Sequence, residues 1–406
     1  MKHTSVLFLA IMLLILAGCA EKPDVEDNDY KPIVLTAEES SWIESENSFA
    51  IFLLSQLNIK EKGSFVVSPL NLQVVLAMLL GGTIYESVEQ EFRAMFGYGT
   101  IQKVEMEYFC SRLIKELPFL DKLSQVTMAP GILADSNIPI NTEFVKTIDL
   151  RYGASCERPD FSKTKAVRQM ANNWASKNTN GMVSEIISKD EVDRLPELAT
   201  IPLGVAGFKG YWAKGFDRRR TESGTFTCED GTDCRVKYMK RKARISVAYI
   251  DNRHPVVQIP YGNGAYSMIV ALPQEGGITT LLKSMESVNV AALPFSADQV
   301  IDLWLPKFEL ESSLNPIESL KTMGMEFFFS RHYFGQIFRA DDDNRLIKIG
   351  YLKQGTAIIV NESGVEVADN PEPVSPIAIH ADHPFLFFIA EKSTGAILFE
   401  GCYRGE

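Results

Sequence analysis

The sequence predicts an α+β domain with large antiparallel or mixed sheets, and three observations lead there. Helical periodicity is concentrated in the first part of the chain. Strand-like runs broken by Gly, Pro and Asp turns dominate after about residue 200. No internal repeat and no proline- or serine-rich linker divides the body. With 406 residues, 46% hydrophobic and 23% charged, the chain has ample material for one large core.

The first 18 residues read as a secretory signal. Lys2 supplies a positive start, residues 6–16 form an apolar run, and Leu16-Ala17-Gly18 lead to Cys19. The run is too short for a stable membrane span. Small residues before a cysteine match the bacterial lipobox, which makes Cys19 the lipidated mature N-terminus. A plain cleaved signal with an incidental cysteine is the alternative. The expectation is an exported protein, lipid-anchored to the bacterial outer membrane on its periplasmic or cell-surface face, with that anchor as its only membrane contact. Residues 19–45 begin polar and acidic and read as a flexible tether. Residues 46–406 read as one domain.

A helical pattern starts near Ser48, with Phe49, Phe52, Leu53 and Leu57 on one face. Ser68-Pro69 opens a second helix over 70–80, apolar on nearly every side and therefore buried, and Gly81-Gly82 ends it. Strand-like runs follow at 256–260, 265–272, 301–305, 356–360, 384–389 and 395–400. Between the runs at 356–360 and 384–389 lies an odd segment, 369–376, reading Asp-Asn-Pro-Glu-Pro-Val-Ser-Pro. Three prolines lack ladder donors, so this is an exposed loop joining two strands, open to proteases.

The net charge of −11 excludes a general nucleic-acid binder. Arg235, Lys237, Lys240, Arg241, Lys242 and Arg244 nevertheless form a basic stretch, either a polyanion site or a solvated hairpin face. Cys228 and Cys234 flank a turn-prone stretch, 229–233, and form a candidate disulfide in an oxidising compartment. Cys110, Cys156 and Cys402 read as single buried thiols. No cysteine or histidine set has metal-ligand spacing, and no cofactor is called for. Gly-x-Ser-x-Gly, His-Glu-x-x-His, phosphate-loop and Cys-x-x-Cys motifs are all absent, so the chain does not read as an enzyme.

Several segments then match one family in order. They are residues 64–71 (Ser-Phe-Val-Val-Ser-Pro-Leu-Asn), Asn173-Trp174 with Thr179 and Gly181, and Phe208-Lys209-Gly210-Tyr211-Trp212 with Phe216, Asp217 and Thr221. Leu305-Pro306-Lys307-Phe308, Met323-Gly324-Met325, Asn361-Glu362-Ser363-Gly364 and His383-Pro384-Phe385 complete the set. The chain resembles the serpin family. The resemblance implies three sheets, eight or nine helices, an exposed reactive-centre loop at about 362–383, and a monomer. It implies suicide inhibition of serine and some cysteine proteases: the loop is cut, forms an acyl-enzyme, and inserts into the main sheet. It also assigns Glu362, Gly364, Val365, Val367 and Asp369 to the hinge. Ser68, Asn71, Gln354 and Trp212 fall in the shutter and breach, where the sheet opens. Asn71 and Gln354 stand where the family usually has serine and histidine, and both can still hydrogen-bond.

Insertion needs alternate loop residues to bury. Counting from Glu362, these are Val365, Val367, Asp369, Pro371 and Pro373. The valines suit a strand. Asp369 would bury a carboxylate, and each proline removes a ladder donor. Pro384 follows Glu362 by only 22 positions, fewer than is usual in the family. With the family's insertion length kept, the scissile bond falls at Ala378-Ile379, suited to an elastase-like protease. Two functions therefore stand: an inhibitor, or a non-inhibitory serpin serving as a binding or substrate-like scaffold.

Overall fold

The computed structural model describes residues 27–330, 334–338, 349–366 and 375–405. Its helices are α1 (Ala37–Lys60), α2 (Pro69–Leu80), α3 (Glu86–Phe96), α4 (Lys103–Glu116), α5 (Thr142–Tyr152), α6 (Thr164–Asn178), α7 (Gly277–Met285), α8 (Ile317–Thr322) and α9 (Glu326–Ser330). The strands are β1 (Phe65–Val67), β2 (Ser124–Ala134), β3 (Ser155–Glu157), β4 (Thr200–Gly210), β5 (Trp212–Lys214), β6 (Glu222–Thr227), β7 (Asp233–Arg244), β8 (Ser246–Ile250) and β9 (His254–Pro260). They continue with β10 (Tyr266–Ala271), β11 (Val300–Pro306), β12 (Phe308–Leu314), β13 (Lys353–Val360), β14 (Gly364–Glu366), β15 (Ile377–His380), β16 (Phe385–Glu391) and β17 (Ile397–Tyr403).

Three large sheets result, with strand orders β1-β17-β16-β10-β9-β8, β15-β11-β7-β6 and β12-β13-β4-β2-β3, plus the two-stranded pair β14-β5. Every residue of α2 is buried, as its all-round apolar sequence requires. It packs against β17 on one side and β2 and β4 on the other, so it cements two sheets together. Ser68 caps it by accepting from the Asn71 amide, and Pro69 takes the first helical position.

Two expectations are corrected here. Residues 37–45, expected in a flexible tether, are the first turns of α1, in which Trp42 and Ile43 are buried. The helix begins there because Thr36 and Glu39 form a reciprocal capping box. Residues 27–36 also lie on the body: Tyr30 donates to Glu391 at 2.9 Å, and Tyr30, Ile33 and Leu35 pack on the core. Second, strands do not wait for residue 200, since β2 is an eleven-residue member of the main sheet. Among the described residues, no helix is long and apolar enough to cross a membrane.

Glu46 of α1 is buried with no hydrogen-bond partner for either carboxyl oxygen, and burial pushes its pKa up to about 8. An acid raised in this way costs nothing below its unfolded value and its full penalty above its folded value. Stability should therefore rise as pH falls from about 8 towards the ordinary value of 4.5. Glu46→Gln is expected to flatten that slope and to gain roughly 4 kcal/mol at the alkaline end. Denaturant titrations of both proteins at about pH 6 and pH 9 check this.

Candidate functional site: the loop root and the sheet it faces

β13 and β4 lie side by side in the middle of the main sheet and run parallel, with Lys353 opposite Leu203 and Ile359 opposite Lys209. The flanking pairs, β12 with β13 and β2 with β4, are antiparallel. The chain leaves β13 at Val360 and passes directly into the loop. Alternation fixes the two faces: Gln354, Thr356 and Ile358 point towards α2, whereas Gly355 points at Val183 and Ile186.

At the lower end of this pair Ser68, Asn71 and Gln354 come together. Gln354 Nε2 donates to the Ser68 carbonyl at 2.7 Å and to Asn71 Oδ1 at 3.3 Å. Ser68 Oγ donates to the Leu398 carbonyl at 2.6 Å, tying the next sheet to the same point. Gly204 is required beside them, because a Cβ there would collide with Asn71 Oδ1. Asn71 Nδ2, Gln354 Oε1 and Thr356 Oγ1 are buried and have no partner among the described residues. Such orphaned groups carry a desolvation cost of about 1–3 kcal/mol each.

At the upper end Trp212 anchors the loop root. Its ring stacks on Tyr261 at 4.0 Å, its Nε1 donates to the Asn361 carbonyl at 2.6 Å, and its backbone pairs with Gly364. Glu362 is buried among partners from two distant motifs: Lys307 donates to Oε2 and Thr221 to Oε1, each at 3.1 Å. Burial opposes its ionisation, but its own amide, Lys307 and Thr221 outweigh that and hold the carboxyl below its ordinary range. Gly364 lies so close to Gly215 that a Cβ would collide with the backbone there. Val365 is half-buried in β14, while Val367, Asp369, Pro371 and Pro373 lie outside the described residues, as does Cys19.

The expected scissile bond is corrected. Ala378 and Ile379 belong to β15, which pairs in parallel with β11, with Asp302 opposite Ala378 and Leu303 opposite Ile379. Ile379 is 4% exposed, and His380 stacks on Trp304 at 4.1 Å. β15 is an edge strand and Ala378 is exposed, but a bond hydrogen-bonded to β11 with the Ile379 side chain buried is not free to enter a protease cleft. Counting forward from Glu362 missed this because the loop is short and its far end is already a strand. The Ile-x-Ile alternation before His380 was the available signal.

One other expectation changes on geometry. Cys228 and Cys234 face each other with sulfurs 2.6 Å apart, the approach a candidate disulfide needs, and Cys234 also reaches the Gly405 carbonyl. Cys110 and Cys402 are buried as expected, and Cys156 is half-buried. The basic stretch lies on β7, where alternation sends Arg235, Lys237 and Arg241 to one face and Lys240, Lys242 and Arg244 to the other. Arg241 is buried and donates to the Lys214 carbonyl, and Lys240 covers Trp304 and pairs with Glu222. The six bases thus do not form one continuous patch. Among the described residues, no group of three or more His, Cys, Asp or Glu side chains could hold a metal.

The main sheet is closed around a parallel central pair, and the segment that follows β13 is rooted at 361–366 by its pairing with β5. The serpin (serine protease inhibitor) family model matches residues 44–404, and the chain belongs to this family. Serpin-ZXA of Oryza sativa subsp. japonica is 28% identical over 355 residues, covering 82% of this chain and 88% of that protein. Arabidopsis AtSerpin1 in its native stressed conformation superposes with a TM-score of 0.79 at 22% identity, covering 91% of this chain and 98% of that one. Human thyroxine-binding globulin, in complex with its hormone, gives 0.78 at 22% identity over 91% of this chain and 100% of that one.

Proposed function

We propose that this chain is an exported, lipid-anchored suicide inhibitor of serine proteases, with cysteine proteases as a second class. Strand addition by a cleaved loop is the established behaviour of serpins. In this chain the reading rests on the β4–β13 pair. A strand following β13 would turn back and run antiparallel to both neighbours, replacing one parallel ladder by two antiparallel ones, the more stable pairing. The paired stretch spans seven positions, 353–359, or about 23 Å at ~3.3 Å per residue. Loop residues 365–374 are ten, about 33 Å when extended, so even a short loop fills the slot.

With β15 beginning at Ile377, cleavage falls before it. Proline on the leaving side protects the bonds ending at Pro371, Pro373 and Pro376. We assign Val374-Ser375 as the scissile bond, a β-branched aliphatic residue followed by a small hydroxyl, suited to an elastase-like protease. The protease nucleophile joins the Val374 carbonyl and the new Ser375 amine leaves with β15. Laid antiparallel to β13 with the turn at 361–364, Asp369 falls beside Thr356 and Pro371 beside Gln354. Asp369 then meets the free donors Thr356 Oγ1 and Asn71 Nδ2, which lowers the cost of burying it.

A second reading has its own observation: Pro371 and Pro373 remove two ladder donors, which favours a scaffold that is cut without trapping. The fold also serves binding in human thyroxine-binding globulin. Incubation with an elastase-like serine protease separates them. An inhibitor is expected to give a protease adduct that survives boiling in SDS. Complete cleavage with free, active protease would overturn the inhibitor reading.

A further inference from the structure

Large apolar side chains stand in solvent along one side of the molecule. On α4, Val104 and Tyr108 are one turn apart on the outer row that continues through Arg112 and Lys115 to Phe119. Tyr108 and Phe119 are 70% and 79% exposed. Val34 lies beside this row, since Arg112 Nη2 donates to its carbonyl at 2.9 Å, and Leu150 lies on the other flank, where Lys115 Nζ reaches its carbonyl. Val34 and Leu150 are 79% and 81% exposed. Single exposed apolar residues are ordinary, but a row of this kind is not.

The same place receives the N-terminal segment. Asn28 Nδ2 donates to Asp121 Oδ1 at 2.7 Å, Lys122 N donates to Asn28 Oδ1, and Asn263 bridges the carbonyls of Asn28 and Leu120. The chain therefore leaves the body next to Phe119. Cys19 is eight residues before Asp27, so a lipid there lies within about 29 Å of this point even at full extension.

We propose that the face made by residues 27–36, the outer row of α4 and Phe119 rests on the lipid surface to which the chain is tethered. This rests on the anchoring proposed above. The charge on the face is mixed, with Lys31, Lys115 and Lys122 exposed among Asp27 and Asp29, so apolar contact at the headgroup boundary is the main attraction. A short tether keeps the body at high local concentration, so even a weak face suffices. The hinge is carried towards the membrane with it: Asn263 adjoins Gly262, which bonds the Tyr211 carbonyl, next to Trp212. The loop root at 361–366 is thus held towards the membrane plane, which suits an inhibitor of proteases working at that surface.

The test uses the full lipidated chain in phosphatidylcholine vesicles containing brominated lipid. Phe119→Trp is expected to add fluorescence that the brominated lipid quenches, whereas Tyr249→Trp, exposed on β8 of another sheet, should be unaffected. Equal quenching, or none, at the two positions in a vesicle-bound protein overturns the surface while leaving the anchor intact. A chain with no lipid mass on Cys19 that floats free of vesicles overturns the anchoring reading and this proposal with it. As a second measurement, Tyr108→Ser with Phe119→Ser, both solvent-exposed and without risk to folding, should abolish the quenching difference between Lys115→Trp and Tyr249→Trp; an unchanged difference contradicts the face.

Discussion

A Trp212→Ala chain is expected to lose about 3–5 kcal/mol of stability and its control over the loop root. Trp212 is fully buried, so the substitution leaves a large cavity beneath Tyr261 and Phe216. It also strips the Asn361 carbonyl of its donor at the point where β13 becomes the loop. The pairing of Gly364 and Glu366 with β5 should loosen, so amide exchange at 362–366 should quicken well beyond the global change. Denaturant midpoints measure the first effect and hydrogen exchange the second. A loss below 1 kcal/mol with unchanged exchange would mean that Trp212 does not hold the hinge.

Replacing Pro371 and Pro373 together by alanine should convert more encounters with an elastase-like protease into trapped complex. Each proline denies the inserted strand one ladder hydrogen bond, worth about 1 kcal/mol net, and leaves a buried carbonyl unpaired at a further cost of about 1–3 kcal/mol. Insertion competes with hydrolysis of the acyl bond, so a more favourable insertion should lower the number of inhibitor molecules consumed per protease inactivated, several-fold or more. Titration of residual protease activity gives that number. An unchanged stoichiometry would mean that the prolines stay outside the inserted segment and that the scissile bond lies earlier in the loop.

Parts of this architecture were plain in the sequence and parts were not, for identifiable reasons. α2 was legible because Pro69 at its start, eleven further residues of mostly aliphatic character and a Gly-Gly stop are all local signals. β16 and β10 were legible as short apolar runs between turn residues. β2 and β4 were not, although β4 is the central strand of the main sheet and β2 its neighbour. β4 and the second half of β2 are covered on two faces, so alternation is lost there. Pro130, Gly131, Gly204 and Gly207 further depress their strand character. Those glycines are there because side chains would strike Trp174, Asn71 and Met182, a tertiary reason invisible to local reading. The start of α1 was missed although Thr36 and Glu39 carried the capping signal.

At the site, the meeting of Glu362 with Lys307 and Thr221 joins positions 55 and 141 residues apart. No spacing rule reaches that far, and the resemblance named the three motifs without bringing them together. The loop's far boundary was the opposite case. Local alternation at Ile377 and Ile379 pointed to a strand, and carrying over a family loop length hid it.

The central claim is that this loop, once cut, becomes a strand between β4 and β13. The most direct test compares thermal unfolding of intact protein with protein nicked between residues 367 and 376 by a tolerant protease. A new strand of seven or more residues, paired on both edges, is worth roughly 10 kcal/mol after the missing proline donors, a rise of about 12 °C in midpoint for a chain of this length. That rise is the result expected here. A midpoint that stays put or falls after cleavage would show that the sheet does not accept the loop, and that the chain uses the serpin fold for binding alone.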